Sequence, residues 1–289
     1  MTIDRRSFLA AGLAAGAAPA AAAGLVHAAD ERPVPSTSKE PYRHSVCRWC
    51  YGMPLEELCV LAKSIGIASV ELLGESEWAT VEKHGLACAV ANGPTSIGDG
   101  LNRVANHDRV LRDSERLLPL VAKAGIPQMI VFSGNRAGMS DAEGLEHCAT
   151  GLRKLVPIAE AHGVTIIMEL LNSKVDHRDY MCDRTAWGVE LCRAVASDRF
   201  KLLYDIYHMQ IMEGDVIRTL RDAAPFIGHY HTGGNPGRNE IDASQELGYP
   251  AIVRAIAATG FSGYIGQEFL PTRDPATSLR EAIRICSIA

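Results

Sequence analysis

Three observations predict an α/β chain folded as a (β/α)8 barrel behind a cleavable signal peptide. Eight short, mostly apolar runs alternate with amphipathic stretches. They recur roughly every 32 residues, the allotment of a barrel of about 250 residues. No G-x-G-x-x-G and no P-loop follows an early run, so an open, doubly wound sheet would lack its phosphate turn.

The N-terminus reads as a separate object. Arg5-Arg6-Ser7-Phe8-Leu9 precedes an Ala/Gly/Leu-rich stretch from Ala10 to Val26 and the small pair Ala28-Ala29. Positive residues, a weakly apolar segment and a small-residue exit make residues 1–29 a signal peptide of the twin-arginine type. The expectation is delivery by the twin-arginine export machinery to the periplasm, in folded form. Residues 30–43, rich in Pro and Ser, read as a leader into the barrel domain, residues 44–289.

Within the barrel domain the expected strands are 45–49, 69–73, 87–92, 128–132, 165–170, 201–205, 227–231 and 264–269. Each is short, apolar and bounded by turn residues or charges, as strands buried on both faces are. Residues 55–65 and 145–161 carry apolar residues at helical spacing. Gly66 and Gly163 follow them, where a left-handed helix cap belongs. Strand alternating with helix implies parallel pairing.

Composition excludes several classes of function. The 289 residues are 22% charged with a net charge of −5 and both signs interspersed, so there is no basic face for nucleic acid. No apolar run of the mature chain is long enough for a stable membrane span. The eight cysteines are scattered, unlike a disulfide framework. Cys47 and Cys50 are the one close pair. No second Cys/His pair completes a zinc site, and a Cys47–Cys50 disulfide stays open as an outcome of export.

Polar residues stand where the runs should be apolar. Glu169, Asp205, His231 and Glu268 each close a run and are separated by 36, 26 and 37 residues. Each step is about one β/α unit, so four potential ligands fall at the C-terminal ends of four successive strands, where barrel enzymes build their sites. Three carboxylates and an imidazole suit one divalent ion, Mn²⁺ or Mg²⁺ first, with Co²⁺ or Zn²⁺ compatible. His208 and Arg238 are candidates for holding a substrate oxygen or carboxylate. A loop ion pair of Arg238 with Glu240 or Glu246 is the competing expectation. Asn172 and Glu71 join the candidate substrate-binding set, Glu71 mainly through hydrogen bonds under the mouth. His147 and His162 read as helix-surface residues.

The pattern Met168-Glu169, Asp205-Ile206-Tyr207-His208, His229-Tyr230-His231, Gly237-Arg238 and Gln267-Glu268-Phe269 resembles the xylose isomerase-like TIM barrel superfamily. Within it the pattern is most similar to hydroxypyruvate isomerases. The resemblance covers the chain after about residue 44 and is specific in its second half. It implies Glu169, Asp205, His231 and Glu268 as metal ligands, with Glu169 and Glu268 doubling as the acid/base pair. It also implies His208 and Arg238 as substrate contacts, and an enediolate isomerisation of a hydroxypyruvate-like or sugar-derived α-hydroxy carbonyl compound. Val175 stands six residues after Glu169, where free-ketose 3-epimerases of the superfamily have Glu, which argues against that activity. Small hydroxypyruvate isomerases often have Gln where His231 stands. DNA-repair endonucleases of the superfamily need more His ligands and a basic groove. An epimerase or lyase of 3-keto-glycosides in the periplasm, a binding barrel without chemistry, and a homo-oligomer remain open at this point.

Overall fold

The computed structural model describes residues 40–288. The expected signal peptide and most of the expected leader lie outside the described residues. Eight parallel strands run as β1 (Arg43–Cys47), β2 (Ser69–Glu71), β3 (Val90–Asn92), β4 (Gln128–Val131), β5 (Thr165–Glu169), β6 (Phe200–Asp205), β7 (Ile227–Thr232) and β8 (Tyr264–Gln267). The order around the sheet is β2-β1-β8-β7-β6-β5-β4-β3. The ends meet through two parallel bridges, Ser69 with Ala87 and Leu73 with Ala91. The barrel is therefore nearly closed. At the seam the Ser69 hydroxyl takes the Ala89 N–H at 2.8 Å, so a side chain replaces a ladder bond and β3 starts later than the apolar run suggests.

The first strand also differs from expectation. Residues 48–50 leave β1 as a 3₁₀ turn, which carries Trp49 out to the mouth. At the other end, Tyr42 is buried with its hydroxyl on the Cys286 carbonyl at 2.6 Å, so residues 42 and 43 belong to the barrel. No helix among the described residues is long and apolar enough to cross a membrane.

Period-two alternation decides what each strand turns inward. Val90, Ile130, Ile167, Leu203 and Tyr264 fill the barrel interior with Ala89. Their neighbours Met129, Ile166, Met168, Leu202 and Tyr230 pack outward against the helices. Two residues beyond Ile167 and Leu203, the same alternation turns Glu169 and Asp205 inward. Register places Asp205 beside His231 and His231 beside Gly266. The helices are set by ordinary caps. Gly66 and Gly163 end Leu55–Ile65 and Asp141–His162 at φ +89° and +69°. The Ser140 hydroxyl accepts the Glu143 N–H at the start of the second. His147 lies half-buried on that helix with Nδ1 on the Asn102 carbonyl at 3.0 Å, rather than free on its surface.

Candidate active site

The four strand-end residues come together. One ligand atom from each of Glu169, Asp205, His231 and Glu268 lies within 4.8 Å of the others, and all four side chains are buried. His231 Nδ1 is 2.7 Å from Glu268 Oε2 and 3.3 Å from Glu169 Oε1. Asp205 has two tasks. Its Oδ1 caps the helix Ile206–Met212 by accepting the His208 N–H at 3.1 Å, and its Oδ2 accepts from Arg238 at 2.7 Å.

Arg238 is held in the buried mouth, in a left-handed turn at φ +56°. Its Nη2 also donates to Glu268 Oε2, its Nη1 meets His208 Nε2, and its Nε donates to the Glu268 carbonyl at 3.2 Å. The guanidinium stands 5.1 Å from the Tyr207 ring centre and 5.4 Å from that of Trp49, so two aromatic faces flank the charge. The ion pair of Arg238 with Glu240 or Glu246 does not form. Glu240 instead accepts from Thr272, Arg273 and Ser278, and Glu246 from Gln210. The deeper carboxylates win because burial concentrates their charge on the guanidinium.

Two candidates sit differently from a substrate contact. Asn172 is fully engaged: Nδ2 meets His208 Nδ1 and donates to Asp176, each at 2.6 Å, and Oδ1 accepts the Val175 and Asp176 N–H groups. It orients His208 from behind. Glu71 is wholly buried below the mouth, between His229 and His231. Cys47 and Cys50 are free thiols, so the disulfide left open above is absent from this structure. Burial pushes both thiols well up.

Trp49 was missed as a site residue because its run read as strand throughout. It is 50% exposed, yet its indole N–H donates to Glu268 Oε1 at 2.6 Å. His229, two residues before His231, had a legible signal: period two turns both inward.

The charge balance of this pocket decides what it can hold. Burial, with the charges of Glu268 and Glu169 adding to it, pushes Asp205 up to about 8 against the pull of Arg238. Burial and Glu268 push Glu169 up as well. Burial acts on Glu268 too, but Arg238 and His231 outweigh it and hold that carboxyl well below its ordinary range. His208 is driven well down by burial and by Arg238, which favours a neutral imidazole. With one guanidinium for three carboxyls, Glu268 is satisfied as an anion while Asp205 and Glu169 are disfavoured in that form, burial being the main cause for both. A divalent cation among these four donors would offset that, so the donor set fits one.

An eight-stranded parallel barrel with a buried carboxylate–imidazole cluster at its C-terminal mouth defines a class of barrel enzyme. The chain belongs to the xylose isomerase-like TIM barrel family, whose pattern matches residues 59–287. It is 31% identical over 232 residues to a 2-oxo-tetronate isomerase of Cupriavidus necator, covering 75% of this chain and 88% of that one. It is 27% identical over 231 residues to the hydroxypyruvate isomerase of Escherichia coli, covering 80% and 83%. Among solved structures it resembles an AP endonuclease, family 2, from Brucella melitensis with a TM-score of 0.73 at 21% identity, over 82% of this chain and 96% of that one. It also resembles a 3-keto-D-glucoside 4-epimerase from E. coli with a TM-score of 0.71 at 21% identity, over 84% and 98%. These last two are likenesses of fold. The protein is an enzyme of the isomerase class.

Proposed function

We propose that the protein is a divalent-metal-dependent isomerase of 3-hydroxy-2-oxo carboxylates, the chemical class shared by hydroxypyruvate and 2-oxo-tetronate. The observation that carries this reading is the convergence of buried Glu169, Asp205, His231 and Glu268 at the strand ends. The activities named for the two sequence relatives support the substrate class.

In such a substrate the carbonyl moves from C2 to C3 while a proton leaves C3 and another arrives at C2, through an enediolate. The reaction needs a base, an acid, a positive pole for the two oxygens and an anchor for the carboxylate. Glu169, Asp205, His231 and Glu268 would hold the ion, Mn²⁺ or Mg²⁺ by their oxygen-rich set, with Co²⁺ or Zn²⁺ compatible. When bound, the ion supplies Lewis-acid stabilisation to the two oxygens. Glu268, whose Oε1 turns to half-exposed Trp49, is placed to take the proton from C3. Glu169, on the other side of His231 Nδ1, is placed to give one at C2. Arg238, with His208 packed against its Nη1, anchors the substrate carboxylate, and Asn172 stands behind the His208 ring. Asp205 moves no proton, because its oxygens are committed to the helix cap and to Arg238.

The test is a product assay over a panel: hydroxypyruvate, 2-oxo-tetronate, free ketoses and 3-keto-glycosides. Each is run after chelator treatment and again with Mn²⁺ restored. Isomerisation of the 2-oxo acids that returns only with Mn²⁺ supports the reading. Activity confined to sugars without a carboxylate, or indifferent to the chelator, overturns it.

A further inference from the structure

Glu71 is a wholly buried carboxylate beside His231. Its Oε1 accepts from His231 Nε2 at 2.8 Å and from His229 Nε2 at 2.9 Å, and the Cys47 thiol donates to the same oxygen at 3.6 Å. Its Oε2 has no hydrogen-bond partner among the described residues. All of its hydrogen bonds gather on the oxygen that faces the two histidines.

Reaching β7 from β2 takes the side chain past β1 and β8. Those strands turn only small residues toward it, Cys47 and Gly266. A β-carbon on Gly266 would stand 2.5 Å from Glu71 Oε1 and 2.8 Å from His231 Cδ2, so any side chain there would displace the pair. The absence of a side chain at residue 266 is thus tied to the Glu71–His231 contact.

His231 faces two ways. Nε2 meets Glu71, while Nδ1 meets Glu268 and Glu169 at 2.7 and 3.3 Å. An imidazole that donates through one nitrogen offers a lone pair at the other. We propose that Glu71 is a positioning residue: by accepting the Nε2 proton of His231 it turns the Nδ1 lone pair toward Glu169, Asp205 and Glu268, and so sets the affinity of that site for its divalent cation. This rests on the reading of those four residues as a cation site. His229 secures the arrangement. Its ring lies edge-on to His231 at 5.2 Å, and its Nδ1 has no partner among the described residues, so in the neutral ring the proton belongs on Nε2, toward Glu71. Partners of this kind behind a ligating histidine fix its tautomer and raise its basicity.

Three variants separate the contributions. Glu71→Gln leaves an oxygen to accept both ring N–H groups and removes the charge. Glu71→Met keeps the length and removes the acceptor. Gly266→Ala keeps both Glu71 and His231 and displaces the pair. The readouts are calorimetric Mn²⁺ binding by the full chain and ring ¹⁵N shifts of His231 in Mg²⁺-loaded protein. The expected result is ~10–100-fold weaker Mn²⁺ binding in Glu71→Met, Gly266→Ala following it, and Glu71→Gln between these and wild type. The His231 ring proton should sit on Nε2 in wild type and leave that position in Glu71→Met. Folded Glu71→Met and Gly266→Ala that bind Mn²⁺ like wild type would overturn the proposal, as would a wild-type ring proton on Nδ1. If Glu71→Met fails to fold, the wild-type ¹⁵N shifts and Glu71→Gln decide the matter alone. Wild-type protein that binds no Mn²⁺ would overturn this proposal together with the cation site. Protein that binds Mn²⁺, loses it in Glu71→Met and isomerises no 2-oxo acid would retire the substrate reading and leave this one standing.

Discussion

The two oxygens of Glu268 have different neighbours. Oε2 faces Arg238 and His231, while Oε1 takes the indole N–H of half-exposed Trp49. On the proposed reading Oε1 is the oxygen nearer to an arriving substrate, with the Trp49 indole holding it there. Replacing Glu268 by Gln keeps an oxygen donor and removes the proposed base, so turnover should fall ~10²–10⁴-fold while Mn²⁺ binding persists. Asp205→Asn should do the opposite, shifting the midpoint of a metal titration of activity and largely recovering the plateau. A recoverable Glu268→Gln beside an Asp205→Asn dead under excess metal would show the proton-transfer roles to be misassigned. Trp49→Phe keeps an apolar wall and loses the N–H. It should lower kcat more than it raises KM and leave the melting temperature near that of wild type, since the residue is half in solvent; kinetics and a thermal melt check both. The four strand-end residues were legible because each closes its apolar run on the inward-turning period. Glu71 was legible as a hydrogen-bonding residue under the mouth, but its two histidine partners and the contact of Trp49 with Glu268 were not. Their roles depend on which side chains face each other across the barrel, and no local period encodes that.

At the scale of elements, the loop after β7 carries Arg238 and is anchored by Glu240 two residues later. Glu240 accepts from the Thr272 N–H and hydroxyl at 2.8 and 2.9 Å, the Arg273 N–H at 3.1 Å and the Ser278 hydroxyl at 2.8 Å. That ties the loop to the start of the helix Pro275–Cys286. Burial pushes this carboxyl up, but hydrogen bonds from Ser278 and Thr272 outweigh it and bring it down to about 2. A carboxyl lowered from its unfolded value of about 4.3 stabilises the fold fully above that value and loses the contribution as pH falls toward 2. Glu240→Gln should therefore cost about 2 kcal/mol at neutral pH. Its deficit against wild type should shrink between pH 5 and about 2, as denaturant melts across that range would report. A deficit independent of pH would mean that packing, not the ionised carboxyl, holds the loop. The helix caps Gly66 and Gly163 were readable because a left-handed turn constrains residue type locally. The early end of β1 was not, because Arg48-Trp49-Cys50 is as apolar and β-prone as the strand it leaves.

At the scale of the whole molecule, the alternation of eight runs fixed the barrel because parallel strands need helical crossovers and the count closes the sheet. The seam between β2 and β3 pairs through backbone bonds such as Leu72 N–H to the Val90 carbonyl at 2.9 Å, but the Ser69 hydroxyl takes the Ala89 N–H there, a detail that no alternation of runs encodes. Export belongs to this scale too. Replacing Arg5 and Arg6 with Lys should leave the protein in the cytoplasm, as fractionation would show, and periplasmic delivery of that variant would refute the twin-arginine reading. The central claim, proton transfer between adjacent carbons by two glutamates, is tested most directly by following hydroxypyruvate in D₂O by NMR with Mg²⁺-loaded protein. The account predicts deuterium at C2 of the product, at a rate that falls at least ~10²-fold in Glu268→Gln. A product formed at full rate with no deuterium at C2 would mean that the hydrogen taken from C3 is the one delivered to C2, by a hydride shift or by a single shielded base, and would contradict transfer by two glutamates.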